Sequence, residues 1–106
     1  MRQIHTDTII GNFILEKVLR DKTKFNVNEL LKFDRKLSKN LTDFYDDLSI
    51  KSIEDFVYDY PFIARLENNK VIISQSTSKE MLLYRLERYF RIGIPKTVLE
   101  AIRATI

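Results

Sequence analysis

The sequence has 106 residues, of which 44% are apolar and 31% are charged, with no cysteine, two glycines and a formal net charge of +3. The absence of cysteine excludes disulfide scaffolds, thiol catalysis and cysteine-ligated zinc, and two isolated glycines exclude a glycine-rich phosphate loop. The composition fits one soluble globular domain, and the small positive charge is weak evidence for an anionic partner.

The N-terminal part of the chain predicts two helices separated by a short strand. Apolar residues recur at helical spacing, which predicts a first helix over residues 8–20 with Thr8 as its N-cap. Residues 25–27 predict a short strand, and a second helix with one broad apolar face opens at Asn28. Residues 38–51 also carry apolar side chains, but they show no clear period.

Capping patterns mark the starts of two later helices. Ser52 and Asp55 form a capping-box pattern, and the helix that follows stops at Pro61 because proline cannot donate the next backbone hydrogen bond. Thr77 and Glu80 form a second capping-box pattern. The helices predicted in this half of the chain cover residues 52–60, 81–91 and 96–105.

A β-hairpin is the clearest strand signal in the sequence. Residues 62–66 and 71–74 are short runs rich in branched side chains, as strands are. Asn68 and Asn69 lie between them and tolerate the positive φ that a tight turn requires.

The predicted element order is that of a winged helix-turn-helix. We therefore expect an α+β, mostly helical fold in which three helices and a β-hairpin wing are followed by two C-terminal helices. The winged-helix domain is expected over residues 1–76, and residues 77–106 form a C-terminal helical extension packed on it or on a partner. The alternative is another small α+β domain with one hairpin.

Residues 47–74 resemble the C-terminal half of LOTUS domains, also called OST-HTH. The family's leucine–glycine–aromatic step, short helix and proline correspond in order to Leu48-Ser49-Ile50, to residues 52–57 and to Pro61, with Ser49 in place of the usual glycine, and a hairpin follows. Residues 26–37 resemble the second helix of that family. The resemblance implies a winged helix of RNA–protein complexes. Because LOTUS relatives with an added C-terminal helix dock onto RNA helicases, it implies a protein partner as well.

Residues 28–44 are similar to part of the La motif, in which a phenylalanine precedes a leucine–threonine–aspartate turn. Phe33 matches that aromatic residue, but the tandem tyrosines that La motifs carry before their first helix have no counterpart in residues 1–4. Both families are winged helices of RNA biology, so either resemblance implies the same class of partner.

Charge is distributed unevenly along the chain. Residues 43–59 carry six acids against Lys51 alone, and they include the expected recognition helix. Phosphates repel an acidic helix, which argues against operator reading by that helix. The acids are interpreted as a solvated face or as a surface that docks a basic partner. They are Asp43, Asp46, Asp47, Glu54, Asp55 and Asp59.

Basic residues gather on the second and fourth predicted helices, the latter with tyrosines close by. Arginine and tyrosine together can hold phosphates and stack on unpaired bases. The candidate nucleic-acid-binding residues are Lys32, Arg35, Lys36, Lys39, Arg85, Arg88, Arg91 and Tyr84. The candidate partner-binding residues are the apolar Leu86, Phe90, Leu99 and Ile102.

These features predict a non-enzymatic winged-helix module of a ribonucleoprotein system that binds RNA through basic and aromatic surface. His5 is the only histidine, so a histidine triad or a multi-histidine metal site is excluded, and no metal or cofactor is expected. No signal peptide or membrane span is visible, and we expect a cytoplasmic protein. One alternative is a protein–protein adaptor or dimerisation module using the C-terminal helices. Another is a DNA-binding transcriptional regulator of a phage or mobile element.

Overall fold

A computed structural model describes residues 4–41, 44, 47–75 and 78–106. These residues form five helices and three strands, which confirms the expected α+β, mostly helical class. In chain order the elements are α1 (Thr6–Leu19), β1 (Lys24–Asn26), α2 (Val27–Leu41), α3 (Ile50–Asp59), β2 (Ala64–Glu67), β3 (Lys70–Ile73), α4 (Lys79–Phe90) and α5 (Lys96–Thr105).

The three strands form one antiparallel sheet in the order β1-β3-β2. Val71 of β3 is the shared centre, because it pairs with Phe25 on one side and with Leu66 on the other. Asn68 and Asn69 adopt positive φ values of 47° and 65°, as predicted for the hairpin turn. The first hairpin strand begins at Ala64 rather than at residue 62, because the chain turns at residues 61–63.

Helix starts differ from the predicted positions. α1 begins at Thr6 with His5 as N-cap, so the prediction that Thr8 caps it is wrong. α3 is capped by Ser49, whose hydroxyl accepts from the Ser52 amide while the Ser52 hydroxyl accepts from the Ser49 amide. Two serines thus complete the capping box three residues before the predicted one, and the helix gains an exposed first residue, Ile50.

α4 follows a serine cap of the same kind. The hydroxyl of Ser78 accepts from the backbone amide of Met81 at 3.3 Å. The predicted cap, Thr77, lies outside the described residues. The helix begins at Lys79, two residues before the predicted start, because this cap precedes it.

α1 is the central helix of the fold, and α3, α4 and α5 all pack against it. Every residue from Ile9 to Glu16 is buried, so this helix is covered on all sides rather than along one stripe. None of the helices among the described residues combines the length and the apolar character that a bilayer span requires.

The two C-terminal helices belong to the same core as the rest of the chain. Leu86 and Phe90 of α4 are 0% and 1% exposed, and Val98 and Ile102 of α5 are buried in the same cluster. α4 packs on α1, and α5 packs on α1 and α2. The prediction that Leu86, Phe90 and Ile102 face a partner is corrected, because these side chains fill the core; Leu99 is half-buried.

Candidate nucleic-acid interface

The first candidate surface is a stripe of four cations on α2. Its residues recur at i, i+3, i+4 and i+7, so they share one helical face, and each of them is exposed. Leu30, Phe33 and Leu37 cover the opposite face and are buried. This amphipathic pattern turns all four cations outward, and we name them the α2 basic stripe: Lys32, Arg35, Lys36 and Lys39.

The acids of α2 do not neutralise this stripe. Glu29 pairs with Lys17 at 3.2 Å and accepts a hydrogen bond from the Asn26 amide at 2.9 Å. Asp34 lies on the buried side of the helix, where one carboxylate oxygen accepts from the Leu48 amide at 3.1 Å. No salt bridge joins the α2 basic stripe to an acid among the residues that the structure describes. Its four side chains are exposed, so an anion can reach them from solvent.

The environment of Glu29 keeps this carboxylate ionised. Partial burial opposes its ionisation, but the hydrogen bond from the Asn26 amide and the nearby Lys17 ammonium together hold its pKa below its ordinary value. Lys17 also lies 5.2 Å from the centre of the Phe13 ring. The Lys17–Glu29 ion pair thus joins α1 to the start of α2, and Glu29 pairs with Lys17 rather than with a cation of the α2 basic stripe.

The α2 basic stripe borders a concave surface. A cleft of about 200 Å³ lies between α1, α2 and the end of α5. Lys32 and Lys36 line it together with Lys17, and Phe13 and Phe33 contribute apolar surface. Three ammonium groups against the single carboxylate of Glu29 give the cleft an excess of positive charge, which suits a phosphate group.

The second candidate surface is on α4. Tyr84 and Tyr89 are 58% and 61% exposed, and the Arg85 guanidinium lies 5.1 Å from the centre of the Phe62 ring. Helical spacing places these side chains beside Met81 and Arg88, away from the buried stripe of the same helix. We name this set the α4 aromatic–arginine face: Phe62, Met81, Tyr84, Arg85, Arg88 and Tyr89.

Arg91 does not belong to either surface. Its guanidinium donates to the buried carboxylate of Glu16 at 2.5 Å, and Arg103 approaches the same carboxylate at 3.9 Å. The side chain of Glu16 is only 7% exposed, so its charge requires this internal partner. The prediction that Arg91 contacts nucleic acid is therefore corrected, because its side chain neutralises a core carboxylate.

The exposed side of α3 is acidic. The buried ring of Phe90 on α4 contacts Phe56 at 5.4 Å and Tyr60 at 5.0 Å, so α3 meets the end of α4 through its inner side. The opposite side of α3 exposes Glu54, Asp55 and Asp59, of which Asp55 pairs with Lys51. Of the other predicted acids, Asp43 and Asp46 lie outside the described residues.

Part of the α4 aromatic–arginine face was not predicted from the sequence. The sequence places Tyr89 close to the arginines of this helix, but it is not among the candidate binding residues, and Phe62 is predicted to be part of a strand. No local signal could have shown that Phe62 lies against Arg85.

No metal centre is found among the residues that the structure describes, where no three potential ligand side chains come together. Comparisons with protein-family models, with curated proteins and with solved structures find no match to this chain.

Proposed function

We propose that this chain is a non-enzymatic winged-helix module that binds RNA through the α2 basic stripe. The element order α1-β1-α2-α3-β2-β3 and the strand order β1-β3-β2 support the winged-helix part of this proposal. The resemblance of residues 47–74 to LOTUS domains supports both the fold and the class of partner.

One observation carries the proposal. The α2 basic stripe places four exposed cations on one face of a helix, and no described acid pairs with any of them. Neutralising phosphates with such cations releases condensed counterions, which is the main sequence-independent source of affinity for nucleic acids. The adjoining cleft is lined by Lys32 and Lys36 of the stripe and by the Lys17–Glu29 ion pair.

The charge of α3 favours RNA over an operator duplex. In a DNA-reading winged helix the third helix enters the major groove. Here the exposed side of that helix carries Glu54, Asp55 and Asp59, which phosphates on both sides of a groove would repel. In this proposal the cations of α2 contact the phosphate backbone, and no helix has to enter a groove. Such contacts fit RNA that is recognised through its shape or its unpaired strands.

Fluorescence anisotropy with labelled single-stranded RNA, duplex RNA and duplex DNA, each at two salt concentrations, tests this proposal. We expect RNA binding that weakens with salt and that falls by about tenfold or more when Lys32→Glu and Lys36→Glu are combined. The matched control combines Lys51→Glu with Lys96→Glu, which changes the net charge equally at exposed positions outside the stripe.

Three results would count against the proposal. Absence of RNA binding at low salt would remove it, and so would equal losses in the stripe variant and the control variant. Tighter binding to duplex DNA than to either RNA would instead support a DNA-binding regulator.

A further inference from the structure

We propose that the open edge of strand β2 pairs with the same edge of a second copy of this chain, so that the two sheets join about a two-fold axis. This inference uses no residue of the α2 basic stripe and is independent of the proposed RNA binding. It rests on the hydrogen-bond register of the sheet, on the contrast between its two edges and on the order of charges along β2.

β2 lies at an edge of the sheet, because it pairs only with β3 in the strand order β1-β3-β2. The backbone amide of Ser74 donates to the carbonyl oxygen of Ile63 at 2.8 Å, so the backbone of Ile63 faces β3. Backbone groups alternate along an antiparallel strand, so those of Arg65 and Glu67 also face β3, whereas those of Leu66 face outward. Apart from the ladder to β3, no backbone hydrogen bond involves Leu66 among the described residues. Leu66 therefore offers one donor and one acceptor to another strand.

The other edge of the sheet, on β1, is closed to such pairing. Thr23 and Val27 form backbone hydrogen bonds with the hairpin at 2.8 Å each, so the backbones of Lys24 and Asn26 face outward. The Asn26 amide is already used, because it donates to the carboxylate of Glu29 at 2.9 Å. A second copy paired across Lys24 would place two ammonium groups opposite each other. Charged side chains and covered backbone groups protect edge strands from pairing, and β1 has both.

The two charged side chains of β2 have opposite signs and lie on one face of the strand. The side chains of Arg65 and Glu67 are 64% and 53% exposed, and they form an ion pair at 3.4 Å. Leu66, between them, points to the opposite face and packs on the core. A strand whose charges all have one sign repels its own copy, whereas alternating signs allow two copies to attract each other.

One two-fold register satisfies both the hydrogen bonds and the charges. When two antiparallel copies of β2 are centred on Leu66, the amide of each Leu66 faces the Leu66 carbonyl of the other copy. Arg65 of each copy then lies opposite Glu67 of the other, so the favourable pair forms twice. Registers centred on Arg65 or on Glu67 keep the outward backbone groups aligned, but they place two like charges opposite each other. The order of charges on β2 therefore selects a second copy as the occupant and Leu66 as the centre of the pairing.

Sedimentation of the chain over a concentration series tests this interface. Because the paired edge is short, we expect weak dimerisation that rises with concentration. Arg65→Glu alone and Glu67→Arg alone are each expected to weaken dimerisation by about tenfold or more, because like charges then face each other. The matched control is Lys51→Glu, which makes the same change of charge as Arg65→Glu and also breaks an exposed ion pair, but lies on α3. This control is expected to dimerise like the unmodified chain.

Two combinations of these variants test the register itself. An equimolar mixture of the Arg65→Glu chain and the Glu67→Arg chain restores opposite charges at both contacts, and we expect it to form heterodimers. A double variant that combines Arg65→Glu with Glu67→Arg exchanges the two charges within one chain and is expected to dimerise like the unmodified chain. A surface that only requires a positive charge at residue 65 would not recover in the double variant.

Amide hydrogen exchange locates the contact on the strand edge. We expect exchange at the Leu66 amide to slow as the concentration rises, because the bond to the second copy protects it. The Lys24 amide faces outward on the closed edge and is the matched control, with an exchange rate that does not depend on concentration. Circular dichroism establishes that each variant is folded.

Four results would overturn the interface. They are a chain that stays monomeric throughout the series, dimerisation that survives both single variants, a double variant or mixture that does not recover, and a Leu66 amide that gains no protection in the dimer. Combining Lys32→Glu with Lys36→Glu is expected to leave dimerisation unchanged, so a failure of the proposed RNA binding and a failure of this interface are distinguishable.

Discussion

The backbone of Gly11 on α1 lies so close to the ring of Phe90 on α4 that a β-carbon at Gly11 would overlap the ring. The side-chain amide Nδ2 of Asn12 donates to the backbone carbonyl oxygen of Phe90 and, at 2.8 Å, to that of Thr8. A glycine in the middle of a helix weakens it, but here it allows two helices to approach closely. This contact fastens the end of α4 to the centre of the fold.

Gly11→Ala is expected to destabilise the protein. Overpacking of a filled core costs about 1–3 kcal/mol, which exceeds the gain of about 1 kcal/mol in helix propensity. Urea unfolding monitored by circular dichroism measures the change. Combining it with Phe90→Leu is expected to cost less than the sum of the two single variants, because the smaller side chain relieves the overlap. Additive losses would show that the two residues are not coupled.

Glu16→Gln is expected to lower the free energy of unfolding by about 2 kcal/mol. The variant removes the charge-assisted hydrogen bond from Arg91 to a buried carboxylate, and such bonds contribute about 1.5–3 kcal/mol. Arg103→Gln is the matched control, because that side chain is 64% exposed and lies 3.9 Å from Glu16. For Arg103→Gln we expect the free energy of unfolding to change by less than about 0.5 kcal/mol. Equal losses in Glu16→Gln and Arg103→Gln would contradict the conclusion that Arg91 is the main partner of Glu16.

Ser49→Ala is expected to cost about 1 kcal/mol, because the serine hydroxyl satisfies an amide at the start of α3. The capping box predicted from the sequence has Ser52 as the N-cap and Asp55 as its partner three residues later, so it predicts a dependence on Asp55 that the observed cap does not have. Asp55→Asn, which removes only an exposed ion pair with Lys51, is expected to change stability by less than about 0.5 kcal/mol. Thermal unfolding of both variants distinguishes the two cap positions.

Glu29→Gln is expected to change how stability depends on pH. The folded-state pKa of Glu29 lies below its ordinary value of 4.5, so the stabilisation from the ionised form is present above that pH. It is lost as the pH falls through the folded-state pKa. Because this side chain is 48% exposed, we expect at most about 0.5 kcal/mol at pH 7 and no difference once the pH is well below the folded-state pKa. A difference that grows on acidification would contradict this sign.

RNA binding by the α2 basic stripe is expected to show a defined salt dependence. If its four cations each neutralise one phosphate of a single strand, the slope of log K against log salt is about −3. Combining Lys32→Gln with Lys36→Gln is expected to reduce the slope to about −1.5. An unchanged slope would show that phosphates bind elsewhere.

The best sequence predictions rested on local chemistry. The hairpin turn forms at Asn68 and Asn69 because asparagine tolerates positive φ. α3 ends before Pro61 because proline has no backbone N–H to donate. Both features depend only on residues close together in the sequence. The short strand predicted over residues 25–27 was found at Lys24–Asn26. Helix caps were less predictable, because Ser49 and Ser52, and likewise Thr77 and Ser78, offer hydroxyls at more than one position before each helix.

Element type, element order and the two opposing charge blocks were determined by the sequence alone, because periodicity, turn residues and charge are properties of neighbouring residues. The tertiary structure decided which faces are covered. Leu86 and Tyr84 were both candidate binding residues of one predicted helix, yet Leu86 is in the core and Tyr84 is 58% exposed. Arg88 and Arg91 are both arginines of one predicted cluster, yet only Arg91 meets a buried carboxylate. Burial and ion pairing depend on elements distant in the chain, above all on α1 at the centre of the core.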